Sequence, residues 1–166
     1  MSRRYLLKNA LCLVTMDDAR QELKNGWIAI EGRQIVALGG MEDPHPPADD
    51  VLDMSGHVVM PGMVNTHHHM YQSLTRVIPQ AHDASLFQWL QTLYPIWARL
   101  TPEMVKASTR TAMAELLMSG CTTTSDHLYL FPNGCRLDDE IEAGLEMGMR
   151  FHACRGSMSV GESAGG

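Results

Sequence analysis

Three consecutive histidines, His67, His68 and His69, end the apolar run Pro61-Gly62-Met63-Val64-Asn65-Thr66. On an extended chain residues two apart share a face, so His67 and His69 can offer imidazole nitrogens to one cation while His68 points away. Neutral imidazole is a preferred ligand of zinc and its divalent neighbours. An ion held there would lower the pKa of water enough for hydrolysis at an unreactive carbon. A catalytic site takes three or more protein ligands and one open position, so two histidines leave it incomplete. The competing reading is a pair of hydrogen-bonded structural histidines.

A second polar group follows the run Cys121-Thr122-Thr123-Thr124-Ser125, where Asp126 and His127 stand at a strand end. Either could orient a metal-bound histidine or touch a substrate, but neighbours on a strand face opposite ways, so one of the two lines the site. Gln72, just beyond the histidines, offers both a donor and an acceptor to a planar polar ligand, or serves a loop backbone. Arg155, at a third strand end, suits a carbonyl or anionic ring atom, or a surface salt bridge. Phe87, Trp89, Tyr94 and Trp97 read as core aromatics, with Trp97 able to reach a pocket, and the thirteen Met residues read as core filler.

These groups need elements to carry them. Residues 1–60 read as a small antiparallel β module with strands over Tyr5 to Thr15, Trp27 to Ile30 and Gln34 to Leu38, and short ones at Val51 to Asp53 and His57 to Met60. Pro44, Pro46 and Pro47 make Glu42 to Asp50 a surface loop. From Pro61 the pattern alternates strand and helix, which argues for βα units on a parallel sheet. A strand over Met63 to Thr66 precedes a helical stretch around Ser85 to Leu100. A second helix starts at the cap Thr101-Pro102, buries Val105, Ala112, Met113, Leu116 and Leu117, and ends at Gly120. A third is spaced by Leu137, Ile141 and Leu145 and closed by Gly148, and a strand over Arg150 to Cys154 follows.

That order matches the opening of a (β/α)8 barrel, whose active sites sit at the C-terminal ends of the strands. Residues 61–166 are fewer than half of the roughly 250 a barrel takes, and Glu162 to Gly166 fall just after the third strand, so a truncated gene product is expected. Composition agrees with one ordinary globular chain: 166 residues, 45% hydrophobic and 19% charged. A net charge of -6 with no basic run argues against nucleic acid polymers. Lys8 and Asn9 interrupt the apolar start and no small-residue cleavage site follows, which suits a cytoplasmic protein with no membrane segment. Cys12, Cys121, Cys135 and Cys154 lack CxxC spacing and read as reduced thiols.

On these residues the chain resembles the amidohydrolase superfamily, in its branch of cytosine, triazine and purine deaminases. Lys8-Asn9-Ala10 with Val14-Thr15-Met16-Asp17 resembles the opening of that family's split, urease-like β-sandwich, and Pro61 to His69 resembles its first metal motif. The runs Asn65 to Gln72, Tyr94 to Leu100, Ser125 to Tyr129 and Arg155 to Ser159 are most similar to 8-oxoguanine deaminases, with hydroxyatrazine-type aminohydrolases close behind. The resemblance implies part of a composite β-sandwich domain over 1–60 and the first strands and helices of a (β/α)8 metal-dependent hydrolase barrel over 61–166. It implies that His67 and His69 are ligands of zinc, with iron as the alternative, and that the third histidine and the general acid-base Glu and catalytic Asp lie on later strands. It implies Gln72, Trp97, His127 and Arg155 on the substrate side. Trp97 stands where nucleoside deaminases of the branch carry a ribose-holding glutamate, so a purine-like free base is the implied substrate, with 8-oxoguanine first and a hydroxytriazine second. The full-length form would be a homo-oligomer. The 166-residue chain alone would be inactive, retaining at most some metal binding.

Overall fold

The computed structural model describes residues 2–158; Ser159 and the run Glu162 to Gly166 lie outside the described residues. The chain divides into two compact units, Met1–Pro61 and Gly62–Gly166.

The first unit holds β1 (Arg4–Ala10), β2 (Cys12–Val14), β3 (Glu22–Leu23), β4 (Gly26–Glu31), β5 (Gln34–Gly39), β6 (Asp50–Asp53) and β7 (Val58–Val59). They form one sheet of order β5-β4-β1-β6 and another of order β3-β2-β7. The expectation of a purely antiparallel module is corrected: β1 pairs with β6, and β2 with β7, in parallel. The long proline-bearing loop before β6 is the reason, since a connection of that length can return the chain in the direction it came from, which a tight hairpin cannot. The expected single strand from Tyr5 to Thr15 also divides. Asn9 adopts a left-handed φ of 61°, the register shifts between Leu7 and Ala10, and exposed Leu11 marks the passage from one sheet to the other. Two small cores result, one around Leu6, Trp27 and Ala29, the other around Ala10, Leu13 and Ile28.

The second unit runs β8 (Met63–Asn65), α1 (Leu86–Trp97), α2 (Pro102–Met118), β9 (Cys121–Leu128), α3 (Leu137–Met147) and β10 (Arg150–Arg155), with 3-10 turns over Met70–Thr75, Pro79–Ala81 and Pro132–Gly134. Its sheet has the order β10-β9-β8 with both pairings parallel, so the three C-terminal strand ends lie on one edge. β8 and β9 come close because Gly62 has no side chain: a Cβ there would fall inside Thr122. Ser85 caps α1 in a reciprocal box with Gln88, and the Thr101 hydroxyl accepts the Met104 N–H at the start of α2.

Helix faces depart from the periodicity. In α3 the buried residues are Asp139, Glu140, Ala143 and Gly144, while Ile141 is 38% and Leu145 77% exposed. Gly144 lies so near β10 that an added Cβ would sit 3.0 Å from Phe151, and this small-residue face packs on the sheet while, of the expected stripe, Leu137 alone joins a core and Ile141 and Leu145 stay exposed. In α2, Ser108 and Thr109 join the buried face and Leu117 does not. Phe87 is not core but 71% exposed, since it sits about 120° round α1 from buried Leu93. One core cluster gathers Tyr71, Leu93, Trp97, Leu100, Val105, Leu128 and Cys135; another gathers Met70, Ala112, Met113, Cys121 and Met149. The four cysteines are free, and no helix among the described residues is long and apolar enough to cross a membrane.

Candidate metal centre

Past the end of β8 the chain keeps its two-residue alternation. The His67 and His69 rings stand edge to face with centroids 5.2 Å apart, a spacing that leaves room for one cation between their edges. The His69 Nδ1 lies 2.9 Å from the carbonyl of His127. A carbonyl only accepts, so Nδ1 carries the proton and Nε2 keeps its lone pair for a metal; such an outer hydrogen bond commonly sets the tautomer of a ligating histidine. The orienting group is thus the backbone of His127, not the Asp126 carboxylate. The residues fit a divalent ion as two of its ligands. Among the described residues no third His, Cys, Asp or Glu joins them in one group.

His68 takes the other direction. Its carbonyl accepts the His127 N–H at 3.0 Å, which ties the histidine segment to β9. Its half-buried ring points toward Asp126, with Nδ1 3.9 Å from Oδ1. Burial, with Arg76 nearby, lowers the His68 pKa, so the contact is no ion pair at neutral pH.

β9 separates its two polar residues as alternation requires. Asp126 is 1% exposed and accepts the Met70 N–H at 2.6 Å, while exposed His127 places its ring 5.6 Å from that of His69. The cavity at the strand ends, about 240 Å³, is lined by Thr66, His67, His68, His69, Ser125, Asp126, His127 and Cys154, so the expectation that only one of Asp126 and His127 borders the site is corrected: Asp126, though nearly buried, reaches it too. Gly156 permits this packing, since a Cβ there would lie 2.5 Å from His127 Nε2.

A second cavity of about 330 Å³ lies between Trp97, Tyr129, Phe131, Arg155 and Met158. Tyr129 connects the two regions, because its ring is also 5.4 Å from that of His69. Among the described residues Arg155 makes no salt bridge; its guanidinium lies 4.8 Å over the Phe131 ring and donates to the Gly156 carbonyl at 3.2 Å. Trp97 backs this cavity but is itself fully buried, with Nε1 donating to Thr75 Oγ1 at 3.0 Å. Gln72 donates to the Tyr71 hydroxyl at 3.1 Å and stands beside His67 and His69 in a shallow depression. Tyr71 is fully buried, and that burial pushes its phenol pKa up. Tyr129 and Glu140 were not marked by sequence reasoning. For Tyr129 a signal existed, since it follows His127 by two and so shares its face of the chain.

The amidohydrolase family matches residues 58–165, spanning the histidine segment and all three parallel strands. The chain belongs to the amidohydrolase family. It is 47% identical to an 8-oxoguanine deaminase of Pseudomonas aeruginosa over 168 aligned positions, covering 100% of this chain and 37% of that one. It is 36% identical to a 5-methylthioadenosine/S-adenosylhomocysteine deaminase of Bacillus cereus, covering 90% of this chain and 34% of the other. Among solved structures it is similar to an atrazine chlorohydrolase of Arthrobacter aurescens complexed with zinc, with a TM-score of 0.86 and 31% identity over 98% of this chain and 38% of that one. The chain therefore spans a little over a third of the length of these relatives, and its α/β architecture is that of the amidohydrolase TIM-barrel enzymes over the part it covers.

Proposed function

We propose that the complete protein is a metal-dependent hydrolytic deaminase of a purine-like free base, converting 8-oxoguanine and water to urate and ammonia. The observation that carries this reading is the 47% identity, over the whole chain, to the Pseudomonas aeruginosa 8-oxoguanine deaminase. The strand-end geometry supports it: His67 and His69 face one another, and the His127 carbonyl keeps His69 Nε2 free to bind. Zinc is the preferred ion, by analogy with the zinc-bound Arthrobacter aurescens relative. When bound, it supplies Lewis acidity and lowers the pKa of water.

The roles of this chain's residues are then as follows. His67 and His69 hold the ion from one side. The exposed His127 ring and the Gln72 side-chain carbonyl border it and take polar edges of the base. Arg155, which among the described residues donates only to the Gly156 carbonyl, offers its remaining N–H groups to an oxygen or ring nitrogen bearing negative charge. Trp97 sets the depth of the aromatic cavity as a buried wall, and among the described residues no carboxylate lines that cavity to bind a ribose. The sandwich-like unit before residue 61, a cytoplasmic location and a homo-oligomeric enzyme belong to the same proposal.

A hydroxytriazine is the second reading, favoured by the Arthrobacter aurescens structural relatives. The test is to express the complete natural reading frame, load it with zinc and follow urate and ammonia from 8-oxoguanine beside ammonia from a hydroxytriazine. Turnover of 8-oxoguanine with a kcat/KM at least tenfold the higher is the expected result. Turnover of the triazine alone overturns the assignment.

A further inference from the structure

Behind the histidines lies a buried pair of acids that the proposed chemistry does not use. Asp126, on β9, is 1% exposed and Glu140, in the first turns of α3, is fully buried. Asp126 Oδ1 accepts the Met70 N–H; Asp126 Oδ2 and both Glu140 oxygens have no donor within reach among the described residues. Two ionised carboxylates facing each other in a core would repel and stay unsatisfied. Since no protein donor reaches them, the missing donor is a proton on one acid, directed at the other. Asp126 already has a backbone donor and Glu140 has none, so the proton belongs on Glu140. Burial and the adjoining Asp126, with Asp139 behind it, accordingly push the Glu140 pKa up to about 9. Burial pushes the Asp126 pKa up as well, but the Met70 N–H, a hydrogen bond from Glu140 and the nearby His69 and His127 all favour its ionised form, and His68 Nδ1 stands 3.9 Å from Oδ1.

The pair acts on one peptide. Met70 is fully buried and follows His69 directly; Asp126 accepts its N–H, and its carbonyl accepts the Ser108 hydroxyl from α2 at 2.6 Å. Both polar groups of the residue after a candidate ligand are therefore gripped from different elements.

We propose that Glu140 is a positioning residue for the metal site: as a neutral acid it donates to Asp126, locks that carboxylate on the Met70 N–H, and so fixes where the His67–His69 segment presents its nitrogens. The proposal rests on the metal reading of His67 and His69. Outer partners of this kind commonly change metal affinity or activity by about 10–100-fold.

The test uses the complete protein loaded with zinc and then placed in excess chelator, with metal loss followed over time and kcat and KM measured separately. Glu140→Met, of similar length but with no donor, is expected to release metal about 10–100-fold faster and to lower kcat more than it raises KM. Glu140→Gln, whose amide N–H replaces the acid proton, is expected to restore both to within about threefold. If Glu140→Met does not fold, Glu140→Asp decides, since a carboxyl one methylene short of Asp126 should lose metal in the same way. Metal retention equal to the parent in the Met or Asp variant, or a Gln variant as poor as Met, overturns the proposal. A parent that binds no metal overturns this proposal and the metal reading together. A parent that holds zinc yet leaves 8-oxoguanine untouched overturns the substrate assignment alone.

Discussion

On the open side of the β9 strand end, His127 stands exposed beside His67 and His69, and water reaches all three; on the packed side, one residue earlier, Asp126 is 1% exposed and, with Glu140 fully buried behind it, holds the Met70 N–H, whose carbonyl Ser108 holds in turn. A single step along a strand separates the two environments, because alternate residues face opposite ways. The open side holds groups that can exchange ligands at little cost. On the packed side every polar atom must find a partner inside the protein, so its arrangement is rigid. The contrast teaches that the histidines need not organise themselves: their positions are set from behind, through backbone groups of His68, Met70 and His127.

The sharpest test of this division removes a group from the open side. His67→Ala should fold with a melting temperature near that of the metal-free parent yet lose bound metal and activity by well over the roughly 100-fold that outer partners give, as read by metal content and by deamination. A variant that keeps its metal would break the comparison. Trp97→Ala, at the buried wall of the second cavity, should instead strike the fold: about 3–5 kcal/mol of stability lost in denaturant unfolding from an emptied core site, with metal content unchanged.

A pH series sharpens it further. The folded-state pKa of Glu140 lies above that of the unfolded chain, so between about pH 4.5 and about 9 the unfolded state binds fewer protons and stability declines as pH rises. Glu140→Gln should flatten that slope and leave the variant relatively more stable toward alkaline pH, measured by urea midpoints; an unchanged slope would mean the acid is not held neutral. The smallest effect belongs to the surface. Arg76 pairs with Glu115 at 2.6 Å with both side chains about half exposed, and Arg76→Ala should cost under about 1 kcal/mol and leave metal content as it was.

Much of the open side was legible in the sequence. Histidines two apart after a strand, a polar pair at the next strand end and the Thr101-Pro102 cap all act over a few residues, where local geometry decides. The packed side was not. Leu137, Ile141 and Leu145 have the spacing of a buried stripe, and a glutamate between them reads as the solvated face. What turned the helix was the approach of Gly144 to Phe151, a contact between elements that no single-helix pattern contains. The usable sign was the i, i+3, i+4 row Glu140, Ala143, Gly144, small enough to lie flat on a sheet. In the same way the left-handed Asn9 divided a strand that apolar content alone would run on to Thr15.

Gly156 carries a consequence for how such a site can change over generations. Its N–H donates to the Leu128 carbonyl at 2.7 Å, and the chain there passes flush against His127 and Tyr129. The smallest substitution the genetic code permits adds one methyl, already 2.5 Å from His127 Nε2 and 2.7 Å from Tyr129 Cβ. Nothing intermediate in size exists between hydrogen and methyl. The clearance over these two rings is therefore inherited whole or lost whole, and divergence in what the pocket admits must come through neighbours such as Tyr129 and Arg155, where side chains can be traded in graded steps.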